Sequence, residues 1–382
     1  MSCPHSRLDF PQLRALGSDI CPTAFRSRKG RSETKAVTGT QCAKRLECAV
    51  FRRFAQVLPD ASRKRPNTAH SNASRRLLTI GPQHDAERLR LQERPGRTPL
   101  QGDRLSDMRL DAHQHFWKFD AADYPWIQAD WPIRRDFLPD DLWPLLRQYE
   151  IEGCIAVQAR QTLEETRWLL ELAKQHPFIK GVVGWVDLRS DSIEKDLGQL
   201  AKDPKFVGVR HVVQDEPDDQ FMLGPEFMRG IGCLKPFNLT YDLLITPRQL
   251  PVAIELVKAF PTQAFVVDHL AKPHIRQRSL SPWREQIREI ANSPNVFCKI
   301  SGMVTEADWA LWQAADLEPY LDVVFDAFGG NRVMFGSDWP VCLLSSSYQG
   351  VFGVVENCLA RMNESQRRGI LGGNCARFYL QR

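Results

Sequence analysis

The chain lacks any run approaching the roughly 18 consecutive apolar residues of a membrane-crossing helix; its apolar stretches are broken every few positions by charge, Gly or Pro. The first twenty residues contain no continuous apolar segment followed by a small-residue cleavage site. A cytoplasmic protein without a membrane partner is therefore expected. The ten cysteines form no Cys-x-x-Cys pair. Neither a disulfide scaffold nor a zinc cluster is expected, and the later cysteines read as small buried thiols. No Gly-x-Gly-x-x-Gly turn follows the first strand candidate, which weakens a dinucleotide-binding alternative.

Tryptophan and tyrosine are missing from residues 1–107, although the 382-residue chain holds ten Trp and six Tyr. The same segment carries 21 Lys and Arg against 10 Asp and Glu, whereas the remainder carries 30 against 36. Such a segment has too few large aromatic anchors and too much charge of one sign to form a packed core. Residues 1–107 are expected to be a basic, disordered extension, or a segment ahead of a true start at Met108. Residues 108–382 are expected to form the catalytic domain. A nucleic-acid-binding or scaffold protein acting through the basic extension is the reading from a different class. Aromatic interleaving, zinc-finger spacing and a helix-turn-helix signal are all missing, so no nucleic-acid partner is expected.

From Met108 onward, short β-branched runs alternate with segments of helical periodicity. Strands are expected over 109–113, 153–158, 179–186, 206–210, 238–243, 264–268, 295–300 and 332–336. Helical patterns lie between them, over 139–149, 163–175, 192–201, 225–231, 247–259, 281–291, 307–328 and 348–362. Thr162, Thr246-Pro247 and Ser281-Pro282 read as capped helix starts. Eight strand–helix units in about 275 residues predict an α/β fold of the (β/α)8 TIM-barrel type.

A barrel of this kind gathers reactive groups at the C-terminal ends of its strands, and the polar residues fall there. His113 and His115 are two positions apart, so an extended backbone directs both to one side. With Asp338, beyond the eighth strand, they could hold one divalent ion and leave a place for water; the rings could equally serve substrate without metal. Asp338 is the candidate general base, with a structural pairing to histidine as the alternative. His269 and His211 are candidate donors to a developing oxyanion, or neutral buried imidazoles. Arg210 suits a carboxylate or a hydroxyl-rich substrate, and equally a structural ion pair. Tyr241 and Asp242 are candidate substrate contacts. Trp117 and Trp339 are candidate pocket walls for sugar-like C–H faces, with loop packing as the alternative for Trp117. Lys299 reads either as a site residue or as a strand-end charge facing solvent.

Several ordered motifs carry a resemblance: Asp-Ala-His-Gln-His-Phe-Trp at 111–117, Tyr-Pro-Trp at 124–126, Gly-Val-Arg-His at 208–211, Tyr-Asp-Leu at 241–243, Asp-His-Leu-Ala-Lys-Pro at 268–273, Lys-Ile-Ser-Gly at 299–302 and Gly-Ser-Asp-Trp-Pro at 336–340. In these the chain resembles the amidohydrolase-related family of the amidohydrolase superfamily, in the branch of sugar-acid lactonases and dicarboxylate-lactone hydrolases. The resemblance implies a distorted (β/α)8 barrel of the metal-dependent-hydrolase type. It implies hydrolysis of L-fuconolactone, L-rhamnonolactone or a related aldonolactone in carbohydrate catabolism. It assigns catalytic positions to His113, His115, His211, His269 and Asp338, and any metal to His113, His115 and Asp338. The fifth strand carries Tyr241-Asp242 where many metal-dependent relatives place a histidine ligand, a departure that argues against a two-metal centre. Expected, then, are no cofactor or a single divalent ion, zinc; a small polyhydroxylated lactone as substrate; and a monomer or homodimer. A metal-dependent decarboxylase or amide hydrolase on the same barrel is the alternative within the superfamily.

Overall fold

Runs such as Ile155-Ala156-Val157 and Val182-Val183 suit a pleated backbone covered on both faces, because branched side chains pack well there. In a computed structural model of the chain, which describes residues 107–381, all eight expected strands form. They are β1 Leu110–Gln114, β2 Gly153–Val157, β3 Ile179–Gly184, β4 Phe206–His211, β5 Thr240–Leu243, β6 Phe265–Val267, β7 Val296–Ile300 and β8 Val333–Phe335. Neighbours in sequence are neighbours in the sheet, and every pair is parallel. A bridge between Gln114 and Trp339 brings the eighth unit back to the first, reinforced by His115 N–H to the Trp339 carbonyl (2.7 Å) and Asp338 N–H to the His113 carbonyl (2.8 Å). The sheet is therefore a nearly closed (β/α)8 barrel. The expected basic extension over 1–107 lies, apart from Asp107, outside the described residues.

The apolar residues divide into two clusters. Leu110, Ala112, Ile155, Val157, Val183, Val207, Val266 and Met334 pack with Cys375, Ala376, Phe378 and Tyr379 of the C-terminal segment. Strand alternation makes this the barrel interior, filled at one end by the chain's own last turn. The larger cluster lies between the strands and the surrounding helices. Among the described residues no helix is long and apolar enough to cross a membrane.

Helix boundaries follow the expected pattern with three adjustments. The Thr162 hydroxyl caps the helix Leu163–Gln175 by accepting from Glu165 N–H at 3.1 Å. The segment from Thr246 opens with a short 3-10 turn, Pro247–Gln249, before the helix Leu250–Ala259. At 281–291 the helix begins only at Trp283, and Ser281 Oγ donates to the Glu285 carboxylate at 2.9 Å, so that serine does not cap the backbone. The irregular stretch 307–328 is helical over Ala314–Phe328, and a short helix that was not expected, Met303–Glu306, precedes it.

Candidate active site

Alternation along each strand decides which side chains reach the interior. Arg210 pairs in register with Asp242, and Lys299 with Met334 of the interior cluster. Their neighbours, His211 and Tyr241, consequently face the helix layer. The β1 register shifts between Asp111 and Gln114, and beyond that irregularity His113 and His115 converge, with their Nε2 atoms 3.2 Å apart.

Asp338 meets these histidines from β8. Its Oδ1 lies 3.4 Å from His115 Nε2, 3.8 Å from His113 Nε2 and 3.9 Å from His269 Nε2. His113, His269 and Asp338 each offer one ligand atom, all within 4.8 Å of one another. The structure thus adds His269 to the set expected from sequence and keeps His115 against two of its members. His115 Nδ1 is 2.9 Å from the Val157 carbonyl, which can only accept, so Nδ1 carries a proton, and in the neutral ring the Nε2 lone pair is left to face the cluster. Bare nitrogen and carboxylate oxygen converging in a buried space repel unless a cation or proton lies between them. Two imidazoles and a carboxylate are also the donor set of a single divalent ion with an open position. The cluster can coordinate one such ion.

The backbone holds these groups in uncommon conformations. Asp338 has φ 56°, and four consecutive residues, His269, Leu270, Ala271 and Lys272, have φ between 50° and 57°. Left-handed non-glycine residues cost about 1–2 kcal/mol each and persist where surroundings over-determine them. Trp283 Nε1 donates to the Leu270 carbonyl at 2.7 Å and Lys272 N–H to the His269 carbonyl at 2.7 Å, which fixes the turn. Ser301 Oγ bonds His269 Nδ1 at 2.9 Å. A side chain at the next residue, Gly302 (φ 62°), would place Cβ 2.5 Å from that same nitrogen, so only glycine lets the imidazole sit there.

Below the cluster lies an ion network that sequence reasoning did not assemble. Lys299 is fully buried, with Nζ 2.5 Å from Asp242 Oδ2 and 3.0 Å from Asp268 Oδ1. Tyr379, from the C-terminal segment, donates to Asp242. Arg210 Nη1 is 3.2 Å from Asp268 Oδ2, and its Nη2 donates to the Gln158 carbonyl. Burial works against the Lys299 charge, but Asp242 and Asp268 outweigh it and hold the ammonium protonated. Burial likewise raises Asp338, yet His269, His115 and His113 together bring its carboxyl well below the usual range. Burial lowers His269 to about 4 against the pull of Asp338.

Several sequence expectations need correction. Asp242 has both oxygens engaged by Lys299 and Tyr379 beneath the centre, leaving none for substrate. Tyr241 is fully buried in the outer layer against Phe227 and Phe265. Trp117 is fully buried, gives its indole N–H to the Arg135 carbonyl (2.8 Å), and packs on Tyr124 and Phe137. Trp339 packs edge-on to Phe116 and Phe137. Both tryptophans are packed into the rim among aromatic neighbours. His211 has both ring nitrogens engaged away from the cluster. Trp185 Nε1 donates to Nδ1 at 3.3 Å, so the Nε2 proton goes to Glu216 Oε1 at 2.7 Å. Lys299 is internal, not solvent-facing; its position two residues after the inward Phe297 was the available signal.

Glu165 ties the first two rim loops together. It accepts from the amides of Ala159 (3.0 Å) and Arg160 (2.7 Å) and from the Tyr124 hydroxyl (3.3 Å). Burial pushes its carboxyl from 4.5 up to about 7 despite those donors. The folded state then binds the proton more tightly than the unfolded chain, so stability falls as pH rises from 4.5 to about 7. Across that window Glu165→Gln should remove a slope of up to about 3 kcal/mol, read by urea unfolding at several pH values.

The model of the amidohydrolase family matches residues 110–380. L-fucono-1,5-lactonase of Burkholderia multivorans is 43% identical over 287 residues, 72% of this chain and 97% of the relative. The L-fucono-1,5-lactonase of Burkholderia ambifaria is 40% identical, covering 71% of this chain and 95% of the relative. A crystal structure of an amidohydrolase from Burkholderia multivorans with bound zinc superposes with TM-score 0.69 at 43% identity, over 71% of this chain and 99% of the other.

Proposed function

The chain belongs to the amidohydrolase family, and from that premise we propose that it hydrolyses a sugar-acid lactone of the L-fucono-1,5-lactone class to the open acid. The observation that carries the reading is the buried convergence of His113, His269 and Asp338 in a chain 43% identical to such a lactonase over nearly that protein's whole length.

His113, His269 and Asp338, with His115 beside them, would hold one divalent ion, zinc as in the similar crystal structure. Bound there, the ion supplies Lewis acidity towards water and the ester carbonyl. Asp338, ionised throughout the neutral range, accepts the proton of the attacking water and passes it to the ring oxygen as the acyl C–O bond breaks. Arg210, fixed by Asp268 and Gln158, keeps a positive charge beside the centre as the carbonyl oxygen gains negative charge. The product is one carboxylate and one proton per ring opened. Five buried, unpaired thiols, Cys154, Cys298, Cys342, Cys358 and Cys375, fit a cytoplasmic place of action.

The test is a pH-indicator assay of the chain against a panel of aldonolactones, with carbon dioxide and ammonia measured in parallel. One proton per lactone and neither gas is the expected result; release of carbon dioxide or ammonia from other substrates, with no lactone opened, would overturn it. Tyr241→Phe should leave kcat/KM within about twofold. Its buried hydroxyl approaches the His211 backbone without an aligned bond, and removing such a group is close to neutral for stability. A loss above tenfold in the same assay would return Tyr241 to the site.

A further inference from the structure

His113 Nδ1 faces two groups of opposite character. Lys299 Nζ lies 3.2 Å away and Asp268 Oδ1 3.3 Å away. An ammonium only donates and a carboxylate only accepts, so Nδ1 takes Lys299 as partner when bare and Asp268 when protonated. The rest of the network is already engaged. Both oxygens of Asp242 are bonded, and Asp268 Oδ2 accepts from Arg210 Nη1. Asp268 Oδ1, fully buried, has the Lys299 ammonium 3.0 Å away as an ion pair but no aligned hydrogen bond, and a buried acceptor gains from an aligned donor.

On the far side of the ring, Nε2 lies 3.2 Å from His115 Nε2 and 3.8 Å from Asp338 Oδ1. Arg210 Nη1, which cannot accept, is also 3.2 Å from it. A proton on Nε2 satisfies His115 but occupies the lone pair that a cation needs. A proton on Nδ1 frees that lone pair and gives Asp268 Oδ1 a second donor beside the Lys299 ammonium.

We propose that Asp268 is the positioning residue of the centre: it takes the Nδ1 proton of His113 so that the Nε2 lone pair faces His115 and Asp338, with Lys299 serving the opposite tautomer. Carboxylates in this relation to a ligand histidine typically strengthen metal binding 10–100-fold. The inference deepens the hydrolase reading and rests on it for the purpose of the cation, but it is read out without substrate.

The experiment uses the full chain labelled with 15N-histidine, stripped by chelator and then titrated with zinc, with His113 assigned by comparison with His113→Gln. Long-range proton–nitrogen spectra of the zinc-loaded protein should show His113 protonated at Nδ1. Asp268→Asn should raise the zinc Kd about 10–100-fold in competition with a chromophoric chelator, read below the unfolding midpoint of the zinc-free variant, which loss of the buried counter-charge to Lys299 and Arg210 lowers. Protonation of His113 at Nε2 in the zinc-loaded chain, or unchanged zinc affinity in Asp268→Asn, would overturn the assignment. Should Asp268→Asn fail to fold, the spectrum of the parent protein decides alone. A chain that opens no lactone yet carries the Nδ1 proton refutes the reaction and supports this role for Asp268; the reverse outcome does the opposite.

Discussion

Asp338→Asn should lower kcat/KM for lactone opening by about 10³-fold, within the range measured when a general acid–base group is removed. Asparagine is the informative replacement because Asp338 sits at φ 56°, and asparagine tolerates left-handed backbone better than most residues. The expected loss is therefore chemical: the amide cannot take a proton from water, and it removes the negative charge facing His113, His115 and His269. Unfolding midpoints of the two proteins, measured alongside the kinetics, should agree within a few degrees. A variant that keeps more than a tenth of the activity would show that Asp338 is a structural partner of the histidines.

The largest effect on stability is expected from Lys299→Met. The ammonium is fully buried between Asp242 and Asp268, so methionine would leave Asp242 with only the Tyr379 hydroxyl and Asp268 with Arg210 as its one remaining ion-pair partner. Breaking a buried pair in this way costs about 3–5 kcal/mol. An exposed pair such as Lys258–Glu289, where both side chains are more than half exposed, should lose under about 1 kcal/mol when treated identically. Burial already raises Asp242 to about 6 despite Lys299. Part of the loss in Lys299→Met should therefore be recovered by lowering pH, as the unpaired carboxylates take up protons, and by the double change Lys299→Met with Asp242→Asn. Denaturant unfolding of the three proteins at two pH values checks both statements; a loss below 1 kcal/mol for the single variant would contradict the buried-pair account.

The strands were legible because branched residues recur in eight short runs and each is followed by a 3.6-residue period. His113, His115, His269 and Asp338 were legible because a barrel places strand ends at one mouth, and these residues end or follow strands. Alternation at those same ends was harder to apply. Arg210 and His211 are adjacent, as are Tyr241 and Asp242, and register decides which of each pair turns inward. The register shift in β1 and the ladder from β4 to β5 settle that in three dimensions. Trp117 was ambiguous because an aromatic residue packs a rim as readily as a ligand. The partnership of Lys299 with Asp242 and Tyr379 joins residues separated by 57 and 137 positions along the chain, and no local pattern records it.

The most direct measurement follows proton release from L-fucono-1,5-lactone while a chelator-stripped chain is titrated with zinc. The account expects the rate to climb linearly to one zinc per chain, remain flat thereafter, and stay near the uncatalysed level in His113→Asn at every zinc concentration. Full activity in the stripped protein, or a rate that continues to rise to two equivalents, would contradict it.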